Sequence, residues 1–442
     1  MIKETLGTFL KEVSLCDAVS LHPNIYVAYS GGVDSHVLLH ALVQLVSNKQ
    51  LKVIHIHHGL FQQADEWAAH CQKICNKLKV DCEIVKVKVD CSSGDSIEEA
   101  ARNARYQVFA KLLQDGDVLV CAHHVDDQAE TCLLQFLRGA GIKGLAAMPS
   151  VVRFAKGYLA RPFLSISRQD ILTYAKQNKL SWVEDESNHD LKFTRNFLRY
   201  KVMPLFKKRW PGISKTIMRV SDHCAEANQL LKELAEQDLS LVHGKASNTL
   251  SVQKLNNFSY VRQKNILREW LQNQGYLLPS TIKLKHIIGD VINARGDAKS
   301  CVSWSDVEVR RYQDDVYAMD ALVQHDVGTH IFWDCKKDLQ LPANMGLLSC
   351  KKVVGKGVRQ DVIKEPLKVA FRQGGEACRL LNRQGTHQLK KLFQEWQVPP
   401  WLRDRVPLIY IADKLAMIVG FGVCEEFAAR EDERGVIIWC RG

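Results

Sequence analysis

Residues 25–35, IYVAYSGGVDS, run from a β-branched and aromatic segment through two glycines into the helical pattern HVLLHALV that begins at His36. Gly31 and Gly32 let the backbone turn sharply and approach a ligand, while the following helix offers free N–H groups and its positive dipole end. An anion, and a phosphate above all, belongs at such a place. Gly-Gly alone would read as a plain connection from strand to helix. Ser30 and Ser35 add hydroxyl donors, Gly31, Gly32 and Val33 lie on the turn itself, and Asp34 is a carboxylate suited to holding Mg2+. The lysine-containing G-x-x-x-x-G-K-[ST] pattern is absent, which excludes a mononucleotide loop of the motor or GTPase kind.

Outward from this stretch, residues 24 to about 182 alternate short strands with longer helical patterns. After HVLLHALVQLV come KVIHIHH, a helical stretch from Trp67 to Leu78, EIVKVKV, a helix near Ile97 to Leu113, and DVLVCAHH. Strands separated by helices of this length form βαβ crossovers, so the fold class is α/β with a doubly wound parallel sheet. Ligands on such sheets bind at the carboxyl ends of the strands, where SGG and HHVDD both fall. His57 and His58 end the second strand; His58 is expected to border a bound nucleotide, a buried or turn histidine being the plainer reading.

The second informative stretch is HHVDDQAET, His123 to Thr131, directly after DVLVCA. Helical spacing puts Glu130 one turn from both Asp126 and Asp127, an expected cluster of three carboxylates beside the phosphate loop. Acids at a helix N-terminus suit the dipole and need mean nothing more, but that accounts poorly for Glu130. The cluster suits either a metal or a cationic substrate.

At 442 residues the chain exceeds the size at which a single core stops growing. The expected partition is a catalytic α/β domain at 1–212, a mainly helical middle domain at 213–325, and a small basic α+β domain at 326–442. The middle shows a long helical run, ISKTIMRVSDHCAEANQLLKELAEQDL, then helical periods at Val261–Gln272 and Thr281–Ala294, and a hairpin, VEVRRYQDDVYAM, turning near Asp314 and Asp315. The first residues, MIKETLGTFLKEVSL, fit an amphipathic helix and not a secretory signal, and no uncharged apolar run is long enough for a membrane span. A cytoplasmic location and no membrane partner are expected. The fourteen cysteines are scattered with no C-x-x-C pair, and Cys71 and Cys75 read as one helix face. Formal charge is +11, and Lys351 to Arg405 holds 13 Lys and Arg against 5 Asp and Glu, a local net of +8. A polyanion such as nucleic acid is expected on that last quarter.

The pair SGGVDS and HHVDDQAET, with ARNARYQVF at 101–109 and VEDESNHDLKFTRNFLRYKVMP at 183–204, resembles the tRNA(Ile)-lysidine synthases. These are members of the PP-loop ATP pyrophosphatases, which cleave ATP between the α- and β-phosphates. FRQGGEACRL from Phe371 and KKLFQEWQVPPWLRDRVPL from Lys390 resemble the C-terminal region of the family's three-domain type. The middle region matches only in length and order.

The resemblance implies ATP as co-substrate, Mg2+, free L-lysine, and an isoleucine tRNA with a CAU anticodon as partners. The wobble cytidine is first adenylated on its C2 oxygen, and the lysine ε-amine then attacks C2, giving lysidine, AMP and pyrophosphate. By resemblance Asp127 and Glu130 receive the lysine amine, Arg102, Arg105, Arg195 and Asn196 lie at the substrates, and Arg199 stabilises charge as pyrophosphate leaves. A solvated basic helix face is the plainer reading of these arginines. Asp185, Ser187 and Asn188 read as loop organisers. Lys390, Lys391, Arg403 and Arg405 are the expected tRNA phosphate contacts. The alternative within the class is a tRNA thiolase, against which the lack of C-x-x-C argues. The oligomeric state stays open, a homodimer included.

Overall fold

The computed structural model describes residues 1–15, 24–47, 49–59, 63–89, 97–184, 190–295 and 300–441. The chain divides into two compact units, Met1–Leu231 and Lys232–Gly442.

In the first unit the order is α1 (Ile2–Leu15), β1 (Ile25–Ala28), α2 (Val33–Val43), β2 (Leu51–His57), α3 (Ala64–Leu78), β3 (Asp81–Lys86), α4 (Ile97–Leu112), β4 (Val118–Val120) and α5 (Val125–Leu137). Then follow α6 (Ile142–Leu145), a hairpin of β5 (Val151–Phe154) and β6 (Gly157–Ala160), and α7 (Arg168–Gln177). Finally α8 (Thr194–Phe197) passes through a π-helical turn (Leu198–Val202) into α9 (Met203–Arg209), and α10 (Ile213–Leu241) begins.

The six strands form one sheet in the order β3-β2-β1-β4-β6-β5. All neighbours are parallel except β5, which pairs antiparallel on the edge of β6. The doubly wound expectation holds. Alternation along β1 explains how both faces are covered: Ile25, Val27 and Tyr29 join one core with α2 residues such as Val37 and Leu38 and with Cys71 and Cys75 of α3. Tyr26 joins the other core with Phe109 and Leu113. Helix α2 buries Val33, Val37, Leu38, Leu39, Ala41 and Leu42, apolar nearly all round, so the loop before it is anchored to a rigid element. Cys71 and Cys75 share the buried face of α3, as expected.

Two local expectations shift. The third strand occupies 81–86 rather than 83–89, since its pairing runs from Lys52↔Asp81 to His57↔Lys86. The β5–β6 hairpin is an addition to the sequence reading. Its turn places Ala155 at φ 50°, a residue that gives no turn signal.

In the second unit the helices Tyr260–Asn273 and Thr281–His286 stand where helical periods were expected, and the latter continues through a π-helical stretch, Ile287–Ile292. The middle region is mainly helical, as expected, and the expected hairpin proves to be half of a small sheet. Strands Leu250–Ser251, Cys301–Trp304, Val307–Tyr312 and Asp315–Asp320 form a four-stranded antiparallel sheet. Its Val302, Val309 and Val316 supply an apolar face on which Ile266, Leu267, Leu284 and Ile288 pack. A separate core around Phe371, Leu392, Phe393 and Ile409 holds the strand-rich C-terminal region. That region contains a five-stranded and a four-stranded sheet. Among the described residues no helix is long and apolar enough to cross a membrane.

Candidate active site

The chain winds outward from β1 to β2 and β3, then returns to place β4 on the other side of β1. This reversal opens a crevice at the carboxyl ends of β1 and β4, the place where open α/β sheets bind ligands. SGGVDS leaves β1 and HHVDD leaves β4, so both motifs border one crevice.

The loop after β1 is tied by its own hydroxyls. Ser35 Oγ donates to the Gly32 carbonyl at 3.0 Å and accepts from the Ser30 N–H at 3.2 Å, and the two serine oxygens lie 3.1 Å apart. Gly31 has φ 84°, its carbonyl accepts from the Val183 N–H at 3.0 Å, and a Cβ there would sit 3.0 Å from Cys71 Sγ. A side chain here would be strained by conformation and crowded against Cys71. Asp34 lies in the first turn of α2. Its Oδ1 is buried with no hydrogen-bond partner, and its Oδ2 is 3.9 Å from His124 Nε2. Burial raises the Asp34 carboxyl above its ordinary range, with the charges of His124 and Arg168 partly opposing it.

On α5 the acids divide. Asp127 and Glu130 face Arg195 and Arg199, which project from α8 and the π-helical turn. Arg199 donates from Nε to Glu130 Oε1 at 2.7 Å and from Nη2 to Glu130 Oε2 at 2.8 Å and to Asp127 Oδ1 at 2.6 Å. Arg195 adds Nε to Glu130 Oε2 at 3.1 Å and Nη2 to Asp127 Oδ1 at 3.2 Å. The other Asp127 oxygen accepts from the His124 backbone N–H at 3.0 Å. Burial pushes the Asp127 carboxyl up, but His124, Arg195 and Arg199 outweigh it and hold the group well below the carboxylate range. Burial likewise lowers the Arg199 guanidinium, and its bonds to Glu130 more than reverse this.

The expected cluster of three acids is thus corrected. Asp126 points elsewhere, accepting from Lys207 Nζ and Ser214 Oγ at 2.6 Å each. The reason is electrostatic: carboxylates this buried need cations, and the chain supplies Arg195, Arg199 and Lys207 from one downstream segment. The reading of Arg195 and Arg199 as a solvated basic face falls for the same reason. Asn196 donates to the Asp190 carbonyl at 3.0 Å.

His58 is half-buried with an unpartnered Nδ1, and burial together with Arg105 lowers it to about 4. It is therefore a neutral acceptor or donor at the end of β2. His57 is engaged with Asp65 at 3.1 Å. Arg102 and Arg105 stack on Tyr106, 4.9 and 5.8 Å from its ring centre. Asp185, Ser187 and Asn188 lie outside the described residues.

A cavity of about 590 Å³ adjoins the acid pair, lined by Glu130, Arg199, Arg168, Leu172, Met203 and Lys215 among others. Sequence reasoning missed His124 as an individual residue and missed Arg168, Lys207 and Ser214. His124 carried a signal, since it directly precedes the acids; Lys207 and Ser214 lie 81 and 88 residues from Asp126 and carried none.

In the second unit Lys390 and Lys391 are exposed on the helix Leu389–Glu395. Arg403 and Arg405 are occupied. Arg403 donates to the Val398 carbonyl at 2.9 Å and to Tyr312 OH at 3.1 Å, and Arg405 to the Val323 and Ala343 carbonyls at 2.8 and 2.6 Å. Part of each guanidinium is thus engaged within the protein, and both side chains are half-buried.

Three family models match the chain: a PP-loop domain over 2–206, a TilS substrate binding domain over 250–317, and a TilS substrate C-terminal domain over 367–439. Among curated relatives, the tRNA(Ile)-lysidine synthase of Coxiella burnetii is 44% identical over 427 residues, covering 96% of this chain and 95% of that protein. The same-named protein of Legionella pneumophila strain Lens is 42% identical over 91% of this chain and 92% of its own length. That of Methylococcus capsulatus is 37% identical over 95% and 97%.

Proposed function

The chain belongs to the tRNA(Ile)-lysidine synthase family, and on that premise we propose how its residues carry out the ATP-dependent ligation of lysine to a wobble cytidine. The observation that carries this reading is the meeting of the SGGVDS loop with the Asp127–Glu130–Arg195–Arg199 cluster at one crevice, with Asp34 and His124 at their seam. ATP occupies the loop, its phosphates receiving the N–H groups of residues 31 to 33 and the hydroxyls of Ser30 and Ser35. His58 borders the nucleotide from the next strand.

The buried, unpartnered Asp34 Oδ1 fits a divalent cation, and no other acid of the cluster offers such an oxygen. Mg2+ held there would neutralise charge on the pyrophosphate leaving group. Arg199, cationic and fixed by two carboxylates, is the group to stabilise that charge from the protein side.

Free L-lysine enters the cavity beside Glu130. Its ε-amine must arrive neutral and oriented to attack C2 of the adenylated cytidine, forming the C–N bond as the C2–O bond breaks; AMP leaves with that oxygen and the nitrogen's proton passes to solvent. Asp127, held far below the usual carboxylate range, is a poor proton acceptor and acts by positioning through Arg195 and Arg199. The partner is an isoleucine tRNA with a CAU anticodon, bound in the cytoplasm. The three-domain partition near 212 and 325 is part of this proposal, supported by the separate cores of the second unit.

The test is incubation of the protein with a CAU-anticodon isoleucine tRNA transcript, ATP, Mg2+ and radiolabelled lysine, followed by nucleoside analysis. Stoichiometric label in the tRNA with release of AMP and pyrophosphate is expected. ATP consumption without label in the nucleoside rejects the reading.

A further inference from the structure

Of the lysines and arginines that line the cavity beside the acid pair, Arg168 and Lys215 make no close ion pair among the described residues. Arg199 is held by Glu130 and Asp127, and Lys207 by Asp126. Arg168 is half-buried at the first position of α7. Its neighbouring acid, Asp170, is turned to the cap of that helix and accepts from Ser167 Oγ at 2.5 Å. A partly desolvated guanidinium with no hydrogen-bonded counter-anion among the described residues is unfavourable, and an anionic ligand relieves it.

Which anion follows from what else lines the cavity. None of Ser30 to Ser35 borders it, so phosphates seated on the loop do not fill it, although Arg168 is close enough for its charge to act on Asp34. Leu172, Met203 and Val125 give it an apolar lining, and Glu130 and Asp126 lie on its wall. A phosphodiester chain would meet both the apolar lining and the acids. A short amphipathic molecule, negative at one end and amine-bearing at the other, suits both. At about 590 Å³ the cavity is within the range of small-ligand sites.

We infer that Arg168 and Lys215 bind the α-carboxylate of the amino-acid co-substrate, with its aliphatic stem along Leu172 and Met203 and its side-chain amine toward Glu130. This assignment rests on the reading that lysine enters this cavity, and it makes the site selective for an amino acid over a plain diamine. Charge-assisted contacts to a carboxylate are lost with the guanidinium, so the affinity effect is on the order of ten- to a hundredfold.

The experiment measures KM for lysine, ATP and tRNA with the full-length wild type and with Arg168→Ala, Arg168→Lys and Lys215→Ala. Inhibition constants for 6-aminohexanoate, which keeps the carboxylate and the terminal amine, and pentane-1,5-diamine, which lacks the carboxylate, are measured alongside. Arg168→Ala is expected to raise the lysine KM and the 6-aminohexanoate inhibition constant about tenfold or more, with Arg168→Lys between it and wild type. The diamine constant and the ATP KM stay within about twofold, an effect too small to reflect a lost charge-assisted contact. Lys215→Ala, on a separate helix, moves the same two quantities in the same direction. Equal rises for the diamine or for ATP overturn the assignment, as does a rise confined to the tRNA KM with a shallower salt dependence, which assigns the cations to RNA phosphate. A wild type that incorporates no lysine overturns the functional reading itself, whereas normal turnover with an unmoved lysine KM in both alanine variants overturns this assignment alone.

Discussion

Arg199 and Glu130, 69 residues apart in sequence, meet in a two-pronged ion pair with Nε–Oε1 at 2.7 Å and Nη2–Oε2 at 2.8 Å. The Glu130 side chain is only 2% exposed and that of Arg199 22%. The pair closes the segment 194–202 onto the catalytic helix α5, so it carries both geometry and charge balance. Removing one partner of a buried pair costs about 3–5 kcal/mol where the other charge is stranded, and the cost here is below that because Arg195 still donates to Glu130 and Asp127. Arg199→Ala is therefore expected to lower the urea midpoint of the first unit markedly, and Arg199→Lys to restore little, since an ammonium cannot reproduce the fork. Unchanged unfolding in Arg199→Ala would show that Arg195 alone balances these carboxylates.

Asp34→Asn should behave in the opposite way. Its Oδ1 has no protein partner and burial already disfavours its charge, so neutralising it removes a strained anion. The thermal transition is expected at or slightly above that of wild type, tRNA affinity unchanged, and lysine incorporation abolished. Circular dichroism and the labelled-lysine assay check this. A fully active variant would remove the metal assignment.

The two motifs that line the crevice were legible because each is local: a turn and a helix start within a dozen residues carry the phosphate loop, and the acids follow their strand directly. The parallel sheet was legible because strand and helix periods alternate. What stayed hidden depends on long-range pairing. Nothing near Asp126 indicates that Lys207 and Ser214 will claim it, so three acids in one helical turn read as a single cluster. The middle sheet was half legible for a related reason: its hairpin showed, but Leu250–Ser251 and Cys301–Trp304 are too short to show a period, and only their pairing to Asp315–Asp320 and Val307–Tyr312 makes them strands.

Acid sensitivity follows from the histidines around the crevice. Burial, with Arg105 and nearby histidines, lowers His58 to about 4, and burial with the same kind of cationic surroundings lowers His123 to about 3. Unfolded, both would take up a proton near pH ~6.5. Between those values the unfolded chain binds more protons than the folded one, so stability is intact above about pH 6.5 and is lost as pH falls toward 4. Each histidine contributes a slope of at most ~1.4 kcal/mol per pH unit. His58→Gln should flatten the dependence of urea stability on pH between 7 and 5, relative to wild type. A parallel curve for the variant would show that His58 is protonated in the folded state.

The basic C-terminal quarter separates into two kinds of cation, and salt tells them apart. Lys390 and Lys391 are exposed on a short helix, whereas Arg403 and Arg405 spend their donors on the carbonyls of Val398, Val323 and Ala343. A lysine that neutralises an RNA phosphate releases a counterion, so each contact adds roughly 0.7–0.9 to the slope of log affinity against log salt. The double variant Lys390→Gln, Lys391→Gln is expected to weaken tRNA binding at low salt and to reduce that slope by about 1.5, with its unfolding unchanged. Arg403→Ala should do the reverse: it leaves the Val398 carbonyl and Tyr312 hydroxyl without their donor and destabilises the second unit by about 1–3 kcal/mol, while the salt slope of tRNA binding stays as in wild type. Filter binding across a salt series and urea unfolding of the same preparations measure both. A slope that falls in Arg403→Ala and not in the lysine variant would reverse the assignment, making the clasping arginine the RNA contact and the exposed lysines a solvated face.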